Sequence, residues 1–431
     1  MANERKKILF LSNRVPFPPD KGDKIRTFHQ LDRLSASHDV YCACFVESLK
    51  DMGYAKTLRR WCADVAPVCW SKTSAAMRAA SGWLGGKTLT CSAYQHPQMR
   101  ERVLRWGREI DFDAVVAFSS SMAPYALSVP ARRRVLDLCD ADSQKWTDYA
   151  GQARFPRSMI YRSEGRRLRA FEKSCLDAFD ATVVITDRER DLLDPRRHCD
   201  TLYVIPNGAA LPAEASRPAS ECGPTIGFLG TMNYRPNVEG VCWFAEHVWP
   251  RIMRSIRDAR LLIVGRDPVR RVRRLIRLPG VEVTGEVDNV RRYLGWCRIV
   301  VAPLHIARGL QNKVLEAMAA KRPVVATATV AACLHVLPGH NIVVADEADE
   351  YAEKIVALCD FDGLCDKIGE AGYRCVATYY GWTESLHRYE RIVLGQTEAT
   401  QSAGVSPQQL PLRLPSDNRH AQLPDMPLVC P

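Results

Sequence analysis

Short runs of β-branched and other apolar residues alternate with amphipathic stretches along most of the chain. A first series of predicted strands comprises Lys7–Leu11, Val40–Phe45, Ala114–Phe118, Arg134–Leu138, Thr182–Ile185 and Leu202–Ile205. A second series comprises Thr225–Leu229, Arg260–Val264, Val281–Thr284, Ile299–Ala302, Val324–Ala326 and Ile342–Val344. Near-continuous apolar strands separated by helical segments are typical of parallel sheets with both faces covered. The pattern predicts an α/β protein with two doubly wound, Rossmann-like units.

A stretch without apolar periodicity, from Asn207 to Gly223, separates the two series. We expect an N-terminal Rossmann-like domain over 1–207, a linker over 208–222 and a C-terminal Rossmann-like domain over 223–377. Residues 378–395 are predicted to form a helix that packs back on the N-terminal domain. Residues 396–431 carry prolines and glutamines without a helical period, and we expect a disordered tail there.

The composition of the 431 residues is that of a soluble globular protein, with 46% hydrophobic and 25% charged residues. The net charge of +11 favours acidic partners such as nucleotides, phosphates, anionic lipids or nucleic acid, without choosing among them. No long apolar segment follows the start, and the uncharged stretch 114–131 contains prolines and serines. These features predict neither an export signal nor a membrane span. The 16 cysteines form no Cys-x-x-Cys pair, which is typical of reduced core thiols in a cytoplasmic protein.

Ligands of doubly wound sheets bind beyond the carboxyl ends of the strands, so the loops there are the candidate sites. In the loop after the first strand, Gly22 allows close approach of the backbone to a ligand. The following helix start, with Lys21, Lys24 and Arg26, favours an anion. A plain strand–turn–helix link with solvated lysines is the alternative. Neither a Gly-x-Gly-x-x-Gly nor a Walker motif is present.

Two loops of the second series also carry cations. Arg235 stands just before a helix, where a guanidinium can hold a diphosphate by bidentate hydrogen bonds, although a capped turn with a surface arginine is equally compatible. In the other loop, Arg308 and Gly309 precede a helix that carries Lys313 and Glu316 on one face. A diphosphate at this helix start would meet Arg308 and Lys313, and Glu316 would accept ribose hydroxyls. The alternative is a solvated Lys313–Glu316 ion pair.

This last segment resembles the donor-nucleotide motif of glycosyltransferase family 4, whose members have the GT-B fold of two Rossmann-like domains facing a cleft. Several motifs of this sequence are most similar to those of one subgroup, the PEP-CTERM/exosortase-associated sugar transferases. The motifs that carry the resemblance are Leu11-Ser12-Asn13-Arg14, Pro16-Phe17-Pro18-Pro19-Asp20-Lys21-Gly22-Asp23-Lys24, Asp140-Ala141-Asp142-Ser143-Gln144-Lys145-Trp146, Gly230-Thr231-Met232 with Pro236-Asn237, and Ala307-Arg308-Gly309-Leu310-Gln311-Asn312-Lys313. Together they extend from about Lys7 to Leu394.

The resemblance implies a retaining transferase that uses a nucleotide-diphosphate sugar, needs no metal or cofactor, and serves exopolysaccharide assembly at or near the inner face of the membrane. The acceptor would be a glycan or a lipid-linked glycan. On this basis we expect Arg235, Arg308, Gly309 and Lys313 at the diphosphate, Gly22 and Lys24 near the donor phosphate, Glu316 at the ribose, and Ser120 and Asp142 in the acceptor loops.

The sequence departs from the family pattern at three places. Arg308 stands where the family has the first of two glutamates, and Thr231 replaces an arginine after Gly230. The catalytic histidine of many relatives is replaced by Phe118-Ser119-Ser120-Ser121.

Other features leave alternatives open. Asp140-Ala141-Asp142 suits a metal, a base or a solvated loop, and we expect Asp142 to orient an acceptor hydroxyl. The arginines from Arg266 to Arg277 are either a solvated helix face or a contact for anionic lipid head groups. The same segment lacks the interleaved aromatic residues of a nucleic-acid-binding protein. A nucleotide-sugar epimerase of the same fold is a further alternative.

Overall fold

The computed structural model describes residues 4–20, 22–211, 217–307 and 310–396. Within these residues the chain forms two parallel sheets. The strands of the first are β1 (Lys7–Ser12), β2 (Asp39–Val46), β3 (Asp64–Cys69), β4 (Phe112–Phe118), β5 (Ala131–Cys139), β6 (Ala181–Val184) and β7 (Leu202–Val204). Those of the second are β8 (Thr225–Leu229), β9 (Arg260–Val264), β10 (Val281–Gly285), β11 (Ile299–Ala302), β12 (Val324–Ala326) and β13 (Val343–Val344).

Helices flank both sheets. Those of the N-terminal half are α1 (Gly22–Ser37), α2 (Leu49–Thr57), α3 (Lys72–Leu84), α4 (Leu89–Tyr94), α5 (Pro97–Glu109), α6 (Ala123–Leu127), α7 (Asp142–Gln152), α8 (Arg157–Ala178) and α9 (Asp187–Leu193). Those of the C-terminal half are α10 (Arg235–Trp243), α11 (Trp249–Ser255), α12 (Arg270–Arg273), α13 (Val290–Leu294), α14 (Asn312–Ala319), α15 (Ala328–Ala331), α16 (Ala348–Asp360), α17 (Asp362–Tyr379) and α18 (Trp382–Val393).

The strand orders are β3-β2-β1-β4-β5-β6-β7 and β10-β9-β8-β11-β12-β13, and both are doubly wound. All paired strands run parallel. Along β1, Ile8 and Phe10 enter one core and Leu9 and Leu11 enter the other, as the two-residue period of a strand requires. The predicted fold class, two Rossmann-like α/β units, is therefore confirmed.

One strand of the first sheet, β3, was not predicted from the sequence pattern. It contains Pro67, which cannot donate a ladder hydrogen bond, and it pairs only with β2 at the edge of the sheet. An edge strand is one of the few places in a sheet where a proline is tolerated. The sheet therefore has one strand more than we predicted.

Helix α18 returns to the first sheet. Tyr389, Ile392 and Val393 join the core that α1 covers, and Arg133 Nε donates to the Ile392 carbonyl at 2.8 Å. Before it, the Ala209 amide donates to the Tyr380 carbonyl at 2.8 Å, so the two segments that cross between the sheets lie side by side. Residues 212–216 of the predicted linker and 397–431 of the predicted tail lie outside the described residues.

Candidate active site

The first and third candidate loops meet across the cleft between the two sheets. Helix α1 begins at Gly22 and helix α14 at Asn312, and a Cβ on Gly22 would lie only 3.6 Å from Asn312 Nδ2. Asn207 Nδ2, at the crossing between the domains, donates to Asn312 Oδ1 at 3.3 Å. Two helix N-termini with positive dipole ends thus approach one another, which favours an anion between them.

Lys313 lies one residue inside α14 and is held without a carboxylate partner in the described part of the chain. Its Nζ donates to Asn237 Oδ1 at 2.5 Å and stands 4.9 Å from the centre of the Phe228 ring. Burial lowers the pKa of the Lys313 amine to about 7. An ammonium that is partly withdrawn from water and has no carboxylate partner among the described residues gains from an incoming phosphate.

Glu316 follows on the same helix but does not pair with Lys313 among the described residues, so the alternative of a local ion pair is not formed. It faces a cavity of about 410 Å³ that is also lined by His29, Arg291, Asn312 and Trp382. Burial raises the pKa of the Glu316 carboxyl, and Arg291 partly opposes this. A half-buried carboxylate in a cavity of this size can accept hydrogen bonds from sugar or ribose hydroxyls.

The second loop divides its residues between two places. Asn237 turns towards Lys313 and also donates from Nδ2 to the Thr231 carbonyl at 3.0 Å. Arg235 instead pairs with Glu239 at 2.6 Å, is 60% exposed, and faces a different cavity of about 160 Å³. The structure therefore does not bring Arg235 and Lys313 to one point, and Asn237 is the residue of this loop that sequence reasoning missed.

Arg26, predicted to favour an anion, faces away from the cleft. It is 1% exposed and donates to Asp137 Oδ2 at 2.8 Å, to Asn207 Oδ1 at 2.9 Å and to the Ile205 carbonyl at 3.0 Å. The prediction is wrong for this residue because its charge is already matched inside the N-terminal domain. Its hydrogen bond to Asn207, which in turn donates to Asn312, links Arg26 to the start of α14.

Lys24 also has partners of its own. Its side chain is 9% exposed, and its Nζ lies 3.9 Å from carboxylate oxygens of both Asp20 and Asp51. Asp20 in turn accepts from Arg266 of the C-terminal domain, at 2.5 Å on Oδ2 and at 3.1 Å on its carbonyl. Arg266 is therefore a bridge between the domains and not part of a solvated helix face.

The acceptor loop after β5 presents its acidic side chains to the cleft. Asp140 and Asp142 line the 160 Å³ cavity together with Tyr234 and Arg235 of the opposite domain. Ser120 is fully buried and reaches this loop by donating to Asp142 Oδ2 at 3.4 Å. Burial raises the pKa of the Asp142 carboxyl, and Lys145 opposes this. Among the described residues, no three His, Cys, Asp or Glu side chains are grouped as metal ligands would be.

Arg308 and Gly309, together with Lys21, lie outside the described residues. The roles predicted for Gly22, Lys24, Ser120, Asp142, Arg235, Lys313 and Glu316 stay predictions. The loops after β1, β4, β5 and β11 nevertheless border one cleft. No helix in the described part of the chain combines the length and apolar character that a membrane span needs.

Comparisons with known proteins agree with this geometry. Residues 223–360 match the family model described as "Glycosyl transferases group 1". Sucrose-phosphate synthase from Thermosynechococcus elongatus superposes with a TM-score of 0.65 at 16% identity, covering 90% of this chain and 98% of that one. The chain has the GT-B fold.

Two further solved structures have the same GT-B fold. HepE from Anabaena, in complex with UDP and glucose, gives a TM-score of 0.61 at 13% identity. The match covers 89% of this chain and 98% of the HepE chain. WaaG, described as a glycosyltransferase involved in lipopolysaccharide biosynthesis, gives 0.60 at 15% identity and covers 90% and 100%. A search of curated protein sequences finds no match. The group 1 model and these neighbours together support a GT-B glycosyltransferase.

Proposed function

We propose that this protein transfers a sugar from a nucleotide-diphosphate donor to a hydroxyl of a glycan or lipid-linked glycan, with retention of the anomeric configuration and without a metal. The observation that carries the proposal is the meeting of two helix N-termini, at Gly22 and Asn312, beside Lys313, whose amine has no carboxylate partner among the described residues. These groups suit a diphosphate that lies in the cleft between the domains.

The donor would extend along α14. Its ribose would lie near Glu316 and its diphosphate near Lys313 and the helix starts, because these groups line neighbouring parts of the cleft. The bound UDP and glucose described for the Anabaena HepE structure favour a nucleotide-sugar donor in a fold of this kind.

The transfer breaks the bond between the anomeric carbon and the diphosphate oxygen and forms a bond to the acceptor oxygen. Negative charge develops on the leaving diphosphate, while the acceptor hydroxyl loses its proton. Fixed cations and oriented N–H groups stabilise such charge without reorganising, which is the largest single contribution in many enzymes. We assign to Lys313 the stabilisation of negative charge on the leaving diphosphate.

The proposed cellular role rests on the sequence resemblance and on one of the structural neighbours. We place the protein in exopolysaccharide assembly, in the cytoplasm and peripheral to the inner face of the membrane. The sequence resemblance supports this role, as does the involvement in lipopolysaccharide biosynthesis stated for WaaG.

Thermal unfolding in the presence of a panel of nucleotide sugars tests the donor half of the proposal. A true donor should raise the melting temperature by mass action, and a 100-fold excess over Kd corresponds to about 2.7 kcal/mol. Release of free nucleoside diphosphate on addition of an acceptor would then separate a transferase from an epimerase, which converts its donor without an acceptor. A panel that leaves the melting temperature unchanged would refute the proposal.

A further inference from the structure

The loop after β5 is held from behind by three buried carboxylates. The backbone N–H groups of Cys139, Ala141 and Ser143 donate to three different acids, namely Asp137 Oδ1 at 3.0 Å, Glu189 Oε2 at 2.7 Å and Glu172 Oε1 at 3.1 Å. Cys139 has a φ of +62°, a region that a non-glycine residue rarely adopts. The backbone at Cys139, Ala141 and Ser143 is therefore held by buried carboxylates. The side chains of the two residues between them line the cavity at the cleft.

Those two residues, Asp140 and Asp142, differ in what they contact. Asp142 accepts from Ser120 Oγ at 3.4 Å. Asp140 Oδ1 is closed off from solvent and has no hydrogen-bond donor in the part of the chain that the structure describes. Burial, assisted by Glu189 and Asp142, raises the pKa of the Asp140 carboxyl to about 7, against the opposing influence of Lys145 and Arg26. The carboxyl of Asp140 also lines the cavity between the domains, so a molecule bound there can donate a hydrogen bond to it in place of solvent.

The cavity that Asp140 lines is suited to a sugar. One wall is the β5–α7 loop with Tyr149, and the other is the segment Tyr234–Pro236 of the C-terminal domain. Aromatic surfaces next to a few convergent polar groups are typical of sites for polyhydroxylated ligands. Among the described residues, the carboxylates of the lining outnumber the cations, and Arg235 is already paired with Glu239. This balance disfavours an anionic group at this point.

We propose that Asp140 binds a hydroxyl of a neutral acceptor sugar in this cavity and is the principal acceptor-contacting carboxylate of the enzyme. The proposal rests on the proposed function and assigns to Asp140 the part that the sequence assigned to Asp142. Asp140 acts directly on the acceptor, whereas Asp137, Glu172 and Glu189 are positioning residues that fix the loop.

The test compares Asp140→Asn with the wild-type protein, using octyl glucoside and the matched octyl glucuronide as acceptor probes and the donor identified from the nucleotide-sugar panel. We expect kcat/KM for octyl glucoside to fall about 10- to 100-fold, the range for losing a charged hydrogen bond. The dissociation constant of the nucleoside diphosphate should stay within threefold. Wild-type protein should prefer the glucoside to the glucuronide. Asp191→Asn serves as the matched control, because this exposed carboxylate on α9 pairs with Arg197 outside the cavity.

A second measurement needs no acceptor. Because Asp140→Asn removes a carboxyl whose Oδ1 has no donor among the described residues, the melting temperature of the empty protein should be unchanged or higher. A fall of about 4 °C or more would show that Asp140 has a structural partner and would overturn the assignment. Transfer by Asp140→Asn at a normal rate would also overturn it and leave the proposed function intact. Wild-type protein that binds no nucleotide sugar would instead refute the proposed function and, with it, this assignment.

Discussion

We predict that the Lys313 ammonium makes nucleotide binding depend on pH, in a direction set by its lowered pKa. With a pKa of about 7 in the empty site, the amine is half protonated at pH 7 and about 1% protonated at pH 9. If only the ammonium form binds the diphosphate, and binding keeps it charged, affinity should fall about 50-fold between these values. This corresponds to about 2.3 kcal/mol.

The assay is a titration of UDP and of GDP by calorimetry at pH 7, 8 and 9. This range lies above the second pKa of a terminal phosphate, which is about 6, so the nucleotide changes its own charge little. Lys313→Arg is the control, because a guanidinium stays protonated throughout and should remove most of the slope.

Lys313→Met should abolish tight binding and lower turnover strongly while leaving the fold intact. The sign of its stability effect also follows from the pKa. Since the folded protein holds the Lys313 proton less tightly than the unfolded chain, this group favours unfolding most at and below pH 7 and progressively less as pH rises towards 10.5. The variant should therefore melt no lower than wild type at pH 7. A wild-type affinity that changes less than threefold from pH 7 to 9, or an arginine variant with the same slope, would refute the reasoning.

Three further outcomes can be measured independently. Arg26→Met leaves Asp137 buried and uncompensated and should cost about 3–5 kcal/mol in the free energy of unfolding, measured with urea; a cost below 1 kcal/mol would contradict the network described. Glu316→Ala should weaken UDP or GDP binding about tenfold through the loss of hydrogen bonds to a charged group, and an unchanged dissociation constant would exclude Glu316 from the nucleotide site. Arg266→Ala should open the empty cleft and raise the radius of gyration in small-angle scattering, because a partly exposed ion pair worth up to about 1 kcal/mol is lost; Asp20→Asn is the matched variant and should behave alike.

The architecture was largely predictable because parallel strands covered on both faces leave near-continuous apolar runs in the sequence. The six strands of the second sheet and all but β3 of the first were recognised from such runs. The pattern failed at β3 because Pro67 argues against a strand, and only the position at the sheet edge, a tertiary property, makes it acceptable.

The site was predictable in its loops but not in its pairings. Strand ends and helix starts predicted an anion site, which stays a prediction, and the structure brings two of these helix starts, at Gly22 and Asn312, together. Which face of α1 carries Arg26 could not be read from the sequence, because its partner Asp137 is 111 residues away. For the same reason, the contact between Lys313 and Asn237, 76 residues apart, had no local signal.

The side-by-side crossing at Ala209 and Tyr380 determines how the two halves can move. We expect two neighbouring connections to permit rotation of the two halves about the line that joins them and to resist rotation about other axes. Trp382 reinforces the pivot, because its ring stacks on His29 at 4.3 Å and occupies the space that a side chain at Gly208 would need. If the halves rotate about this crossing, we expect Glu316, which lines the same cavity as Gly208 and Trp382, to move less relative to the crossing than Asp140 and Tyr234.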